Sequence, residues 1–185
     1  MTLAYVFWHW KQSEVAPAAY EGRQRAFHAA MRDSPPRGFS RSFSHSVTGA
    51  PWANGGAEAY EDWYLVDGFA SLETLNDGAI SASRKQPHDA AAEVAASGAG
   101  GLYRLRLGEA IERPARAQWF GKPVGMSYER LWQTLEPLIR PGQASLWMRQ
   151  LVLGPGREFC VHSASQIRLP PELDPLEVTL RRVWP

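Results

Sequence analysis

The segment Tyr5-Val6-Phe7-Trp8-His9-Trp10 constrains the fold more than any other stretch of the chain. Its aromatic and β-branched residues predict a strand over Leu3–Lys11. In a strand, successive side chains point to opposite faces. Tyr5, Phe7 and His9 then share one face, and Val6, Trp8 and Trp10 share the other. Both faces carry large residues, so both have to be covered. Helices can cover one face, and a second sheet or a ligand has to cover the other.

The remaining elements supply that cover. Ala18–Arg32 follows helical spacing through Tyr20, Phe27 and Met31, and Pro35-Pro36 ends it. Phe39–Val47 alternates large residues with serine, which predicts a strand with Phe39, Arg41, Phe43 and His45 on one face. A strand over Tyr60–Val66 and a helix over Ser71–Ala79 follow. Pro87-His88-Asp89 opens another helix, read to about Ser97 with Gly98 as its C-cap, before a strand over Leu102–Leu107. The order is β-α-β-β-α-β, that of a ferredoxin-like unit. Beyond it come a strand over Gln118–Lys122 and a helix over Ser127–Ile139 with Ser127 as N-cap. Strands over Ser145–Leu153 and Glu158–Ser163, room for one helical turn at Pro170–Pro175, and a last strand over Leu176–Trp184 complete the chain.

The expected fold is therefore α+β: two ferredoxin-like βαββαβ repeats in one chain, forming an α+β barrel with antiparallel sheets. The repeats are read as 1–110 and 111–185, joined within Gly108–Ala117 near Glu112. Trp8, Trp10, Trp52 and Trp63 fall in the first, and Trp119, Trp132, Trp147 and Trp184 in the second. They are expected to wall a shared interior.

Composition excludes several classes. The chain has 185 residues, with 20 Lys+Arg against 19 Asp+Glu and a net charge of +1. A general nucleic-acid binder would carry a basic excess. The single cysteine, Cys160, leaves no intramolecular disulfide and no multi-cysteine metal site. It sits between Phe159 and Val161 with no cation near it in sequence, which argues against a nucleophile. No apolar run reaches the roughly 20 residues of a membrane-spanning helix, and no basic leader precedes the first strand. The expectation is a cytoplasmic monomer or homodimer with no membrane or nucleic-acid partner. Nucleophile-elbow, zinc-protease, phosphate-loop and dinucleotide motifs are all absent from the sequence.

Residue chemistry points to a small-molecule site without a metal. His9 and His45 lie on strands beside apolar residues and could act as general bases near neutral pH. Arg41 and Arg104 could hold an anion, as could the other strand arginines, Arg106 and Arg149. Trp63 and His162 are expected to line the pocket, with Asp62 and Asp67 as partners for the cations. His28, in mid-helix among alanines, reads as a packing residue.

Residues 3–107 resemble the dimeric α+β barrel superfamily. The resemblance rests on the aromatic first strand, the Tyr20-Glu21 helix, Pro35-Pro36-Arg37-Gly38-Phe39, and Tyr60–Val66 followed by Leu72 and Leu75. That group includes antibiotic-biosynthesis monooxygenases, EthD-like proteins, muconolactone isomerases and haem-binding chlorite-dismutase relatives. The resemblance implies helices outside a shared barrel and a pocket between the sheets for a small, often aromatic or anionic molecule. The activity it implies is that of a cofactor-free monooxygenase or an isomerase. A haem-binding relative is a further alternative, and His88 would then be the ligand by its position alone. The non-catalytic alternative is a barrel packed with its own aromatic residues, or one that offers them as an oligomer interface.

Overall fold

The computed structural model describes residues 1–111 and 113–185; Glu112, at the expected joint, lies outside the described residues. Eight strands form: β1 (Leu3–Lys11), β2 (Phe39–Thr48), β3 (Ala59–Val66), β4 (Ala95–Gly108), β5 (Arg116–Phe120), β6 (Ala144–Arg149), β7 (Phe159–Ser163) and β8 (Leu176–Trp184). They close into one barrel in the order β1-β3-β2-β8-β5-β7-β6-β4, every pair antiparallel. Closure gives every strand a neighbour on both sides. The α-helices among the described residues are α1 (Pro17–Asp33), α2 (Ala70–Ala79), α3 (Lys85–Glu93) and α4 (Tyr128–Leu135). A single turn at Pro171–Leu173 fills the place where room for one turn was expected. Among the described residues, no helix is long and apolar enough to cross a membrane.

Cross-strand partners share a face, so the register sorts inside from outside. Val6 and Phe43 both stand opposite Trp63, Trp119 and Trp147 both stand opposite Cys160, and His162 stands opposite Ala117. These residues point inward. Trp8, Trp63, Trp119 and Trp147 are all fully buried there with Tyr103. Their rings meet edge-on or tilted, with centroids 5.1 Å apart for Trp63–Trp147 and 5.7 Å for Trp8–Trp119. The barrel centre is thus occupied by its own aromatic rings. Two tryptophans lie elsewhere: Trp132 packs against Phe159 on the outer face, and Trp184 stacks on His28.

The outer faces are covered by helices. Under α4, Leu131 and Leu135 pack on Phe120, Phe159 and Val161. Ser127 caps α4 as expected, its hydroxyl accepting from the Arg130 amide at 3.1 Å. Under α1–α3, Phe27, Met31, Leu75 and Ala91 pack on Leu3, Tyr64 and Leu102.

Several sequence readings are corrected. The strand expected over Ser145–Leu153 ends at Arg149, and the helix expected to reach Ile139 ends at Leu135. The register of β2 shifts between Phe39 and Arg41, so Phe39 leaves the face of Phe43 and His45 and joins the cluster under the helices. The helix expected to reach Ser97 stops at Glu93, and Ser97 and Gly98 belong to β4. The reason is tertiary: β4 pairs with β1 along the whole of β1, and its glycines lie against aromatic rings. A Cβ on Gly98 would stand 2.5 Å from Phe7 Cζ, and one on Gly100 2.7 Å from the Tyr5 hydroxyl.

Gly98→Ala is therefore expected to destabilise the protein by about 1–3 kcal/mol through overpacking. Gly22→Ala, on the open face of α1 with nothing within 4 Å, should stabilise by roughly 0.5–1 kcal/mol. Urea denaturation of the two variants beside the parent measures both signs.

Candidate functional site

The open space lies outside the barrel, between its β1–β3–β4 wall and the helices α1–α3, in a cavity of about 550 Å³. Tyr5 and Phe7 give it an aromatic floor, and Phe27, Leu75 and Ala91 roof it. The floor is flat because β4 contributes glycine beneath the rings. Tyr5 and Phe7 lie within 14° of parallel, and Phe7 and His9 within 23°.

One carboxylate interrupts this apolar wall. Asp62, on β3, is buried and lines the cavity. Its Oδ2 lies 3.1 Å from His9 Nε2 and 3.2 Å from His28 Nε2, and accepts from the Tyr64 hydroxyl at 2.9 Å. Each imidazole is fixed at its other nitrogen: His9 Nδ1 lies 2.5 Å from the Tyr20 hydroxyl, and His28 Nδ1 2.7 Å from Ser42 Oγ. Asp62 Oδ1 takes no hydrogen bond among the described residues. Burial pushes the Asp62 carboxyl up, but the charge and hydrogen bonding of His28 and His9 more than reverse this and hold it well below the ordinary range. Burial, with Asp62 nearby, pushes the Tyr64 hydroxyl well up. The cluster is an anion bracketed by two oriented imidazoles, with one carboxylate oxygen left without a hydrogen bond among the described residues.

The neighbouring residue on β3 faces the other way. Glu61 sits inside the barrel, where its carboxylate accepts the indole N–H of Trp8 and of Trp63, each at 2.6 Å. Burial raises its carboxyl to about 7, with the two indoles opposing that shift. His162 Nε2 stands 3.9 Å away, and His45 pairs across the strands with Glu61. Burial lowers His45 to about 4 and holds His162 well below its usual value, so both are neutral near pH 7. Burial also pushes the Cys160 thiol well up, which leaves it inert as a nucleophile.

The residues expected to form one site are split four ways. His9 reaches the cavity, with Nδ1 beside the Tyr20 hydroxyl and Nε2 3.1 Å from Asp62 Oδ2; among the described residues neither His9 Nε2 nor Asp62 Oδ1 has an aligned hydrogen-bond partner, so the two together are the candidate proton acceptors. His45, Trp63 and His162 are sealed in the barrel and do not touch the cavity. Arg104 is exposed. Arg41 donates to the Ala110 carbonyl at 2.6 Å and lines a separate polar recess. His88 lines the cavity from α3, with Nδ1 3.2 Å from Asp89. Reasoning from the sequence missed the roles of Tyr20, His28 and Tyr64. A signal for the first two existed: Tyr20, Gln24 and His28 recur on the buried stripe of α1, where polar residues need partners.

Among the described residues, no group of three or more His, Cys, Asp or Glu is arranged to hold a metal ion. His88 offers a haem an imidazole, but the described lining holds no Arg or Lys to meet the propionates, so it does not complete a haem site.

No protein-family model matches the chain, and no curated protein does. Among solved structures the chain is similar to an anthrone oxidase-like protein, with TM-score 0.49 and 12% identity over 99% of this chain and 73% of that one. It is also similar to a mutant chlorite dismutase from Candidatus Nitrospira defluvii, with TM-score 0.46 and 9% identity over 98% and 92% of the two chains. The same enzyme in complex with imidazole gives 0.45 and 8%, again over 98% and 92%. At these scores no residue role passes from those proteins to this chain.

Because Asp62 is ionised more readily folded than unfolded, its contribution to stability is complete above the ordinary carboxylate range. That contribution is lost as pH falls through the lower folded value. Asp62→Asn is expected to cost about 3 kcal/mol at pH 7. Its gap to the parent should narrow below about pH 4. Denaturation curves across pH check both.

Proposed function

We propose that the chain binds a flat, largely apolar molecule with a hydroxyl or enolisable carbonyl in the cavity under α1–α3, and moves a proton to or from it. The observation that carries this reading is Asp62, a buried carboxylate that lines an apolar cavity and whose Oδ1 has no hydrogen-bond partner among the described residues. The aromatic floor suits a planar guest, whose rings stack on Tyr5 and Phe7. The guest's acidic C–H or O–H meets the Asp62–His9 pair, in which the imidazole 3.1 Å from the carboxylate takes the proton and the carboxylate holds it there. His9 and His28 position the carboxylate and offset the negative charge left on the guest. Return of the proton to another carbon gives an isomerase-like reaction. Attack of the same carbanion on dioxygen would give a cofactor-free oxygenase, and the two outcomes differ in oxygen consumption. A dianionic porphyrin suits this lining less than a neutral or phenolic guest.

The same proposal includes the organisation of the chain. We read residues 1–110 and 111–185 as tandem ferredoxin-like units sharing one barrel, the first carrying the site and the second completing the wall. Each runs β-α-β-β-helix-β, with α2 and α3 together in the helix position of the first and only one turn there in the second. The barrel closes within one chain, which makes a single chain sufficient for the site.

Hydroxylated naphthalenes and enolisable bicyclic ketones provide the test. Binding is expected to quench tryptophan fluorescence, and Leu75→Trp, which fills the cavity, should abolish it. Asp62→Asn should retain binding while turnover, followed in the ultraviolet, falls by about 10²–10⁴-fold. Unchanged binding by Leu75→Trp would contradict the location, and unchanged turnover by Asp62→Asn would contradict the chemistry.

A further inference from the structure

The loop after β6 carries three consecutive large apolar residues in water. Leu151 is 76% exposed, Val152 79% and Leu153 51%. Scattered apolar surface residues need no explanation, but a contiguous tip does. Its backbone is also unusual. Leu151 and Val152 have φ of 53° and 58°, the left-handed region, which is costly for a leucine and more so for a β-branched valine. Strain of this kind persists only where the surroundings fix it, and it gathers at ligand clamps and switches.

The surroundings here are the cavity. Gln150 N donates to the Leu102 carbonyl at 2.7 Å, and Leu102 N donates to the Leu153 carbonyl at 3.1 Å, so both ends of the tip are pinned to β4. Leu102 and Leu153 line the cavity. Ile80, at the end of α2, lines it too and is 49% exposed. Residues that are both lining and half-exposed stand at the mouth, so Leu153 and Ile80 rim it. The chain leaves the tip through Gly154, whose φ of 122° is open to glycine alone. A Cβ there would lie 2.6 Å from Gly101 Cα, so the loop rests directly on the bare strand beside the cavity.

We infer that Leu151–Leu153 is a lid that the second half of the chain lends to the cavity of the first. With a guest in place, Leu151 and Val152 turn over the mouth, leave the left-handed conformation and bury their side chains against the guest, while Leu153 sets how long a guest can be. This rests on the cavity being a binding site, but it assigns a specificity role to residues that lie outside the Asp62 cluster.

The test uses the full chain and the neutral fluorescent probe N-phenyl-1-naphthylamine. The parent is expected to bind it with enhanced emission, and amide exchange at Leu151–Leu153 should slow on binding. Leu151→Asp/Val152→Asp places charges on a tip that is already exposed, so the fold should stand. Its affinity should drop about tenfold or more, since two apolar side chains no longer cover the probe. Leu151→Gly/Val152→Gly, which relieves the strain but removes the cover, should raise stability and still weaken binding. If the parent binds and both double variants bind equally well, or if the loop amides exchange at the same rate with probe present, the lid is refuted while the cavity stands. If the parent does not bind the probe at all, both the cavity reading and the lid are refuted.

Discussion

Strand β3 is buried at every position from Ala59 to Val66, and the rest of the structure is arranged around that fact. A strand covered on both sides normally carries apolar residues throughout. This one carries two adjacent carboxylates, Glu61 and Asp62, and the pleat sends them to opposite faces. A buried carboxylate is tolerated only with partners. Inside the barrel the partners are the indole N–H groups of Trp8 and Trp63. Outside, they are His9, His28 and the Tyr64 hydroxyl. The surrounding residues follow from those needs: tryptophans at the barrel centre, and polar residues on the buried stripe of α1.

The two environments separate the two acids. Glu61 meets neutral donors, and burial dominates, so its carboxyl rises. Asp62 meets imidazoles, and their charge wins over burial, so its carboxyl falls. The same pair also divides the packed centre from the candidate site. The Glu61 side is closed by interlocking rings and serves packing. The Asp62 side opens on a cavity because β4 contributes glycine where it faces the helices, so Tyr5 and Phe7 lie flat and leave room above them.

Much of the fold could be read in the sequence because period-two alternation and proline or glycine punctuation are local signals. The order of strands, the two-sided cover of β1 and the Ser127 cap were legible for that reason. The β4 start was not, because Ala- and Gly-rich sequence favours neither state and the choice was made by pairing with β1. Nor was the face of Phe39, which a single register shift reverses. The site was legible only in part. His9 could be seen as a strand histidine beside aromatic residues. Its partner Asp62 could be seen only as a flanking acid, since a pairing across 53 residues leaves no local trace. Four indoles large enough to line a cavity between the sheets are also large enough to pack on one another, and the sequence does not distinguish the two.

A crystal structure of the full chain soaked with N-phenyl-1-naphthylamine tests the central claim most directly. Density for the probe between α1–α3 and the Tyr5–Phe7 floor, within reach of Asp62, is the expected result. A probe lodged among Trp8, Trp63, Trp119 and Trp147 inside the barrel would contradict it, and so would a cavity under the helices left empty with the probe bound elsewhere on the surface.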